Sequence, residues 1–148
     1  KKPGKLTKEE YEHIKEHPLR GYEVVRGNPH MKDAVDGVLY HHERYDGTGY
    51  PHGLKGEEIP LRGRIIQIAD MFDALTTTRS YRDAYPWRDA LGILNDGAGT
   101  VADPVLCKAF DAMIWRLYAR NPAAFDAIGN PAAELDIDGK QRSTGIMR

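Results

Sequence analysis

The sequence predicts an all-α chain built from short helices. No stretch alternates apolar and polar residues between hairpin turns, so strand signals are missing. Several stretches carry apolar residues at helical spacing instead. The clearest is Ile65, Ile68, Ala69, Phe72 and Leu75, a stripe along one helical face. Finally, 15 glycines and 9 prolines in 148 residues interrupt the chain too often for a long coiled coil.

Taken in order, Thr7-Lys8-Glu9-Glu10 has the form of a capping box and predicts a helix from Lys8 to about Glu16. Pro18 opens a second helix, because proline suits a first turn, and His17 falls at the corner between the two. The second helix carries Leu19, Tyr22, Val24 and Val25 and stops near Gly27-Asn28-Pro29. A third is predicted over 31–42, with Ala34, Val35, Val38 and Leu39 toward the core. A turn-rich connection over 54–60 leads to a long helix, 61–76, where Asp70 and Asp73 lie three residues apart beside the apolar stripe. Ser80-Tyr81-Arg82 is a junction. A helix follows Pro86 to about Asn95, and Gly97-Ala98-Gly99-Thr100 is a loop. Asp103 then caps a helix that begins at Pro104 and carries Leu106, Phe110, Met113, Ile114 and Leu117. Beyond Asn121 one or two weak helical turns and a loose end are expected. The organisation expected is a domain over 1–120 and a loosely structured extension over 121–148.

A chain of this length is one domain and can bury a core. The 41% hydrophobic fraction is globular, and a net charge of −1 supplies no basic field for a nucleic-acid polymer. Cys107 is the lone cysteine, which excludes an internal disulfide, and its apolar surroundings predict a small buried side chain. No apolar run reaches the roughly 20 residues that span a bilayer, and the residues show no signal-peptide pattern. A soluble, cytoplasmic domain without a membrane segment is expected.

The densest chemistry lies in His41-His42-Glu43-Arg44-Tyr45-Asp46-Gly47-Thr48-Gly49-Tyr50-Pro51. Adjacent residues on a helix point about 100° apart, so His41 and His42 address two neighbouring ions, or one ion and one group beside it. The glycines and Pro51 then end the helix in a shaped loop. Read alone, the imidazoles are either ligands or solvated side chains favoured by a helix C-terminus. Asp70 either binds a cation or pairs with Arg64 or Arg44, and it is expected to be half buried. Asp73 either orients a ligand histidine through its second nitrogen or meets substrate. Arg79 and Arg82 are either a solvated basic turn or guanidinium forks for phosphate and the edge of guanine.

This stretch resembles the signature of HD-GYP domains. The opening KPGKLTKEEYEHIKEHP, the later IIQIADMFDALTTTRSYRDAYP and the late GTVADP resemble further blocks of the same family, over roughly residues 2–118. The resemblance implies a multi-helix HD-domain-like bundle, incomplete at its N-terminus. The family's His-Asp pair and its nearby lysine are expected just upstream of Lys1. The resemblance also implies hydrolysis of cyclic di-GMP to linear pGpG or GMP at two or more metal ions, with no side-chain nucleophile. His17, His41, His42 and Asp70 each match a metal-ligand position, and imidazole with carboxylate suits divalent iron, manganese or zinc. Arg79, Arg82, Asp73 and Tyr50 are the expected substrate contacts, with Tyr50 either stacking on a base or bracing the metal-bearing helix end. Gly49, Tyr50 and Pro51 form the loop linked in the family to GGDEF-type cyclase domains. His13, His30 and His52 match nothing and are expected at the surface. Thr100 and Asp103 match the late motif, whose usual aromatic is Ala102 here, and capping is the expected role for Asp103. The alternative is an incomplete module that binds nucleotide or a cyclase partner without turnover. Homodimerisation is expected from apolar surface left open by missing first helices.

Overall fold

The computed structural model describes residues 7–79 and 82–128. Seven α-helices follow one another: α1 Lys8–Ile14, α2 His17–Val25, α3 Val35–Tyr40, α4 Leu61–Thr76, α5 Trp87–Asp96, α6 Pro104–Arg120 and α7 Pro122–Asp126. Single 3-10 turns lie at Pro29–Met31 and Gly56–Glu58. The all-helical class holds throughout the described residues. Ser80, Tyr81 and the extension beyond Ile128 lie outside them, as do the basic residues of the opening segment.

Local rules set most boundaries. Thr7 and Glu10 form the capping box, with Thr7 N–H donating to the Glu10 carboxylate at 2.7 Å and Glu10 N–H to Thr7 Oγ1 at 3.2 Å. Pro18 occupies the first turn of α2. Asp103 caps α6 by accepting from the amides of Val105 and Leu106 at 2.8 and 3.2 Å. The third helix departs from expectation. Asn28 accepts from the His30 amide and starts a separate 3-10 turn, so α3 is only six residues long. His41 is its C-cap, and both histidines therefore lie past the last helical residue.

The helices pack in sequence, α2 on α3, α3 on α4, α4 on α5, and α6 against α4 and α5. One core gathers Ile68, Leu94, Ala102 and Cys107 under Met71, Phe72 and Phe110. A second gathers Trp87, Leu91 and Ile114 with Tyr118, Phe125 and Ile128. Fully burying a large apolar side chain contributes about 1.5–3 kcal/mol, so these few residues dominate the hydrophobic stabilisation. The α4 stripe is only partly covered. Ile68 is buried, but Ile65 keeps 49% of its surface exposed and Ala69 is open. They form an apolar groove with Leu106, Ala109, Phe110 and Met113, because α6 covers the stripe from one side only. Met113 and Leu117 of α6 are likewise exposed. Gly63 lets α3 and α4 touch: a Cβ there would sit 2.7 Å from Tyr40 Cβ.

Candidate metal centre

Three imidazoles meet where α2 begins and α3 ends. His17 is the first residue of α2, and His41 and His42 follow Tyr40. Their donor atoms all lie within 4.8 Å of one another. His17 Nε2 is 3.3 Å from His41 Nε2 and 3.1 Å from His42 Nε2. The His41 and His42 ring centroids are 4.2 Å apart.

The proton inventory of these rings favours a cation. His17 Nδ1 lies 2.7 Å from the Ile14 carbonyl oxygen and His41 Nδ1 lies 2.9 Å from that of Val38. A carbonyl only accepts, so each Nδ1 carries the proton and donates. Each neutral ring then has a bare lone pair on Nε2. In the neutral rings two lone pairs therefore face each other across 3.3 Å. A positive ion between them removes that repulsion, and backbone carbonyls behind ligand histidines are the usual arrangement that fixes such rings. His42 has its pKa pushed down to about 4, first by burial and then by His41 and His17, with Asp70 opposing. It stays neutral and able to ligate at ordinary pH.

Asp70 stands beside this trio but outside its donor cluster. It is exposed rather than half buried, because it lies roughly 200° around α4 from the buried Ile68. Its charge reaches the centre, raising the pKa of His42 against the other influences and contributing to the rise at Tyr50. Neither arginine weighed as its partner pairs with it. Arg44 donates to Asp46 at 3.2 Å and to Thr48 at 2.8 Å, and Arg64 donates to Asp103 at 2.6 Å.

Tyr50 lies against the centre, its ring stacked on His42 at 4.8 Å and 23°. Burial, then Tyr11 and Asp70, push its phenol up to about 12, so it remains a donor. The Tyr50–Pro51 peptide is cis, and Gly49 is needed for closeness: a Cβ there would meet Arg44 N at 2.2 Å and the Glu43 backbone at 2.5 Å. Asp73 is exposed and lines a shallow cleft with Phe72, Thr76, Thr77 and Phe110. It does not orient His17 or His41, whose second nitrogens face carbonyls. Arg79 is exposed. Arg82 turns back onto the end of α4, donating to the carbonyls of Ala74, Leu75 and Asp83, with Tyr85 4.6 Å beneath its guanidinium. His13, His30 and His52 are exposed, as expected.

Two supporting residues, Glu43 and Gln67, are not singled out by the sequence. Glu43 is fully buried. Gln67 is buried and donates to the carbonyls of Glu43 and Val101. Arg64 and the buried Asp103 form a largely covered ion pair behind them. Burial lifts the Asp103 carboxyl, but hydrogen bonds from Arg64, Leu106 and Val105 outweigh it and hold the group below the usual carboxylate range. Only a polar residue inside an apolar helical face, as at Gln67, signals such a brace in advance.

Comparison with known proteins adds kinship to this geometry. A model of the HD domain family matches residues 1–106. The cyclic di-GMP phosphodiesterase response regulator RpfG of Xanthomonas campestris is 45% identical over 76% of this chain and 30% of its own length. A cyclic di-GMP phosphodiesterase of Thermotoga maritima is 40% identical over 74% of the chain and 30% of its own length. The 3'3'-cGAMP-specific phosphodiesterase 3 of Vibrio cholerae is 41% identical over 70% of the chain and 22% of its own length. Among solved structures, a cyclic GMP-AMP specific phosphodiesterase from Vibrio cholerae shares the fold, with a TM-score of 0.62 and 23% identity over 85% of this chain and 28% of that one. The chain thus spans no more than 30% of the length of each of these relatives.

Proposed function

The chain belongs to the HD domain family, in its HD-GYP branch, and from that premise we propose that it carries the histidine cluster and substrate loop of a cyclic dinucleotide phosphodiesterase. HD domains are metal-dependent phosphohydrolases. The observation that carries the reading is the approach of the His17 and His41 Nε2 atoms to 3.3 Å while each ring's Nδ1 faces a backbone carbonyl. Divalent iron, manganese or zinc suits this donor set. Such an ion, when bound, would supply Lewis acidity for phosphodiester hydrolysis.

The chain's own residues do the rest. His17, His41 and His42 hold the ion, with Asp70 adding a carboxylate from α4. Tyr50, still a phenol, donates to the substrate and braces His42 with its ring. Arg79, exposed and without an ion pair among the described residues, meets phosphate or the edge of guanine. Arg82 holds the turn that presents it, and Asp73 contacts a nucleotide reaching past Thr76. Cyclic di-GMP is the proposed substrate. The relatives named for 3'3'-cGAMP make that dinucleotide the one to test beside it. Gly49, Tyr50 and Pro51 form the surface proposed for GGDEF-type cyclase domains. The open apolar groove between α4 and α6 is the face through which a homodimer would form.

The test is incubation of Mn²⁺- or Fe²⁺-loaded protein with each dinucleotide, followed by chromatography of the products. Linear dinucleotide or GMP, lost on chelation and in His41→Ala, is the expected result. Nucleotide bound without turnover favours a binding module. Absence of both binding and turnover contradicts the proposal.

A further inference from the structure

Glu43 follows the paired histidines directly and has no exposed surface. A buried carboxylate is costly unless its oxygens are satisfied. Here both are: one accepts from the His52 amide at 2.7 Å, the other from the Leu54 amide at 3.0 Å. These partners lie nine and eleven residues ahead, on the far side of the Gly49-Tyr50-Pro51 turn. The side chain therefore closes that turn as a clasp. The Tyr50 amide donates to the His42 carbonyl at 3.1 Å inside it, and Gly49 runs against the Glu43 backbone itself. The Glu43 carbonyl is tied to α4 through Gln67. The product of this closure is the Tyr50 ring stacked on His42, which also meets His17 edge-on at 4.7 Å.

We propose that Glu43 is a positioning residue for the metal centre: its carboxylate clasps the loop so that Tyr50 presses His42 into the place where its Nε2 joins those of His17 and His41. Glu43 itself contributes no ligand atom, and the role rests on the metal-centre reading above. Histidine His41 is held by the Val38 carbonyl and His17 by that of Ile14. Among the described contacts, His42 is held mainly by ring packing, so the loop sets its pose.

The test is Co²⁺ titration of the metal-free chain, followed by visible absorption, in wild type, Glu43→Gln, Tyr50→Leu and the double variant. Glu43→Gln sets an amide NH₂ against a backbone amide and opens one half of the clasp. It is expected to weaken Co²⁺ binding about tenfold, the lower end of what groups supporting ligands usually contribute. Tyr50→Leu leaves the clasp and should weaken binding to the same degree. The double variant should be no weaker than either single, since both act through one ring. A folded Glu43→Gln with wild-type affinity, or two effects that multiply in full, overturns the role. Should Glu43→Gln fail to fold, Tyr50→Leu decides: unchanged affinity overturns the proposal and a tenfold loss at unchanged helix content upholds it. A wild-type chain that binds no Co²⁺ overturns the metal-centre reading as well, a result distinct from the others.

Discussion

His42 gives the centre a pH signature. Its folded pKa of about 4 lies below the ordinary value of 6.5, chiefly because of burial. Between those values the unfolded chain takes up a proton that the folded chain refuses. The stability His42 contributes is therefore fully present above pH 6.5 and is lost as pH falls toward 4. Metal-free protein is expected to unfold at a lower temperature at pH 5 than at pH 7.5, and His42→Asn should narrow that difference. Equal differences in the two proteins would contradict the assignment. Residue identity was legible through the family resemblance, which singles out His17, His41 and His42; their convergence was not, and the structure gathers them. The burial of Glu43 and Gln67 was not legible, since it depends on which carbonyls a folded loop leaves without partners. Nor was the turn of Arg82 toward the end of α4. A guanidinium near an exposed helix C-terminus finds free carbonyls first, and the sequence does not say where that terminus faces.

At the scale of elements, the centre depends on how closely α3 approaches α4. His41 and His42 ride on the end of a six-residue helix whose position is set by contact at Gly63. Gly63→Ala would place a Cβ 2.7 Å from Tyr40, the last residue of α3. Overpacking of this kind costs about 1–3 kcal/mol, and here the strain falls on the ligand-bearing end. Chemical denaturation should show that loss, and metal affinity should drop with it. Unchanged affinity would mean that the imidazoles find their places without α3. Helices with strong end signals were readable: α1 by its capping box, α4 by its period, α6 by Asp103 and Pro104. The break in the third helix was not, because the Asn28 turn competes with a run whose apolar spacing looks continuous.

At the scale of the molecule, the described residues form two small cores and leave an apolar groove between α4 and α6. No helix among them is long and apolar enough to cross a membrane. A fold this size gains visibly from any ligand that binds only the native state. Metal at 100 times its dissociation constant would add about 2.7 kcal/mol. Zn²⁺ or Mn²⁺ should therefore raise the unfolding temperature, and EDTA should return it to the metal-free value. The measurement that bears most directly on the account is anomalous diffraction from crystals grown with Co²⁺ or Zn²⁺. The account predicts an ion bound by Nε2 of His17, His41 and His42 at about 2.0–2.1 Å, with Nδ1 of His17 and His41 still on the carbonyls of Ile14 and Val38. Strong anomalous density elsewhere, with these three rings turned apart, would contradict it.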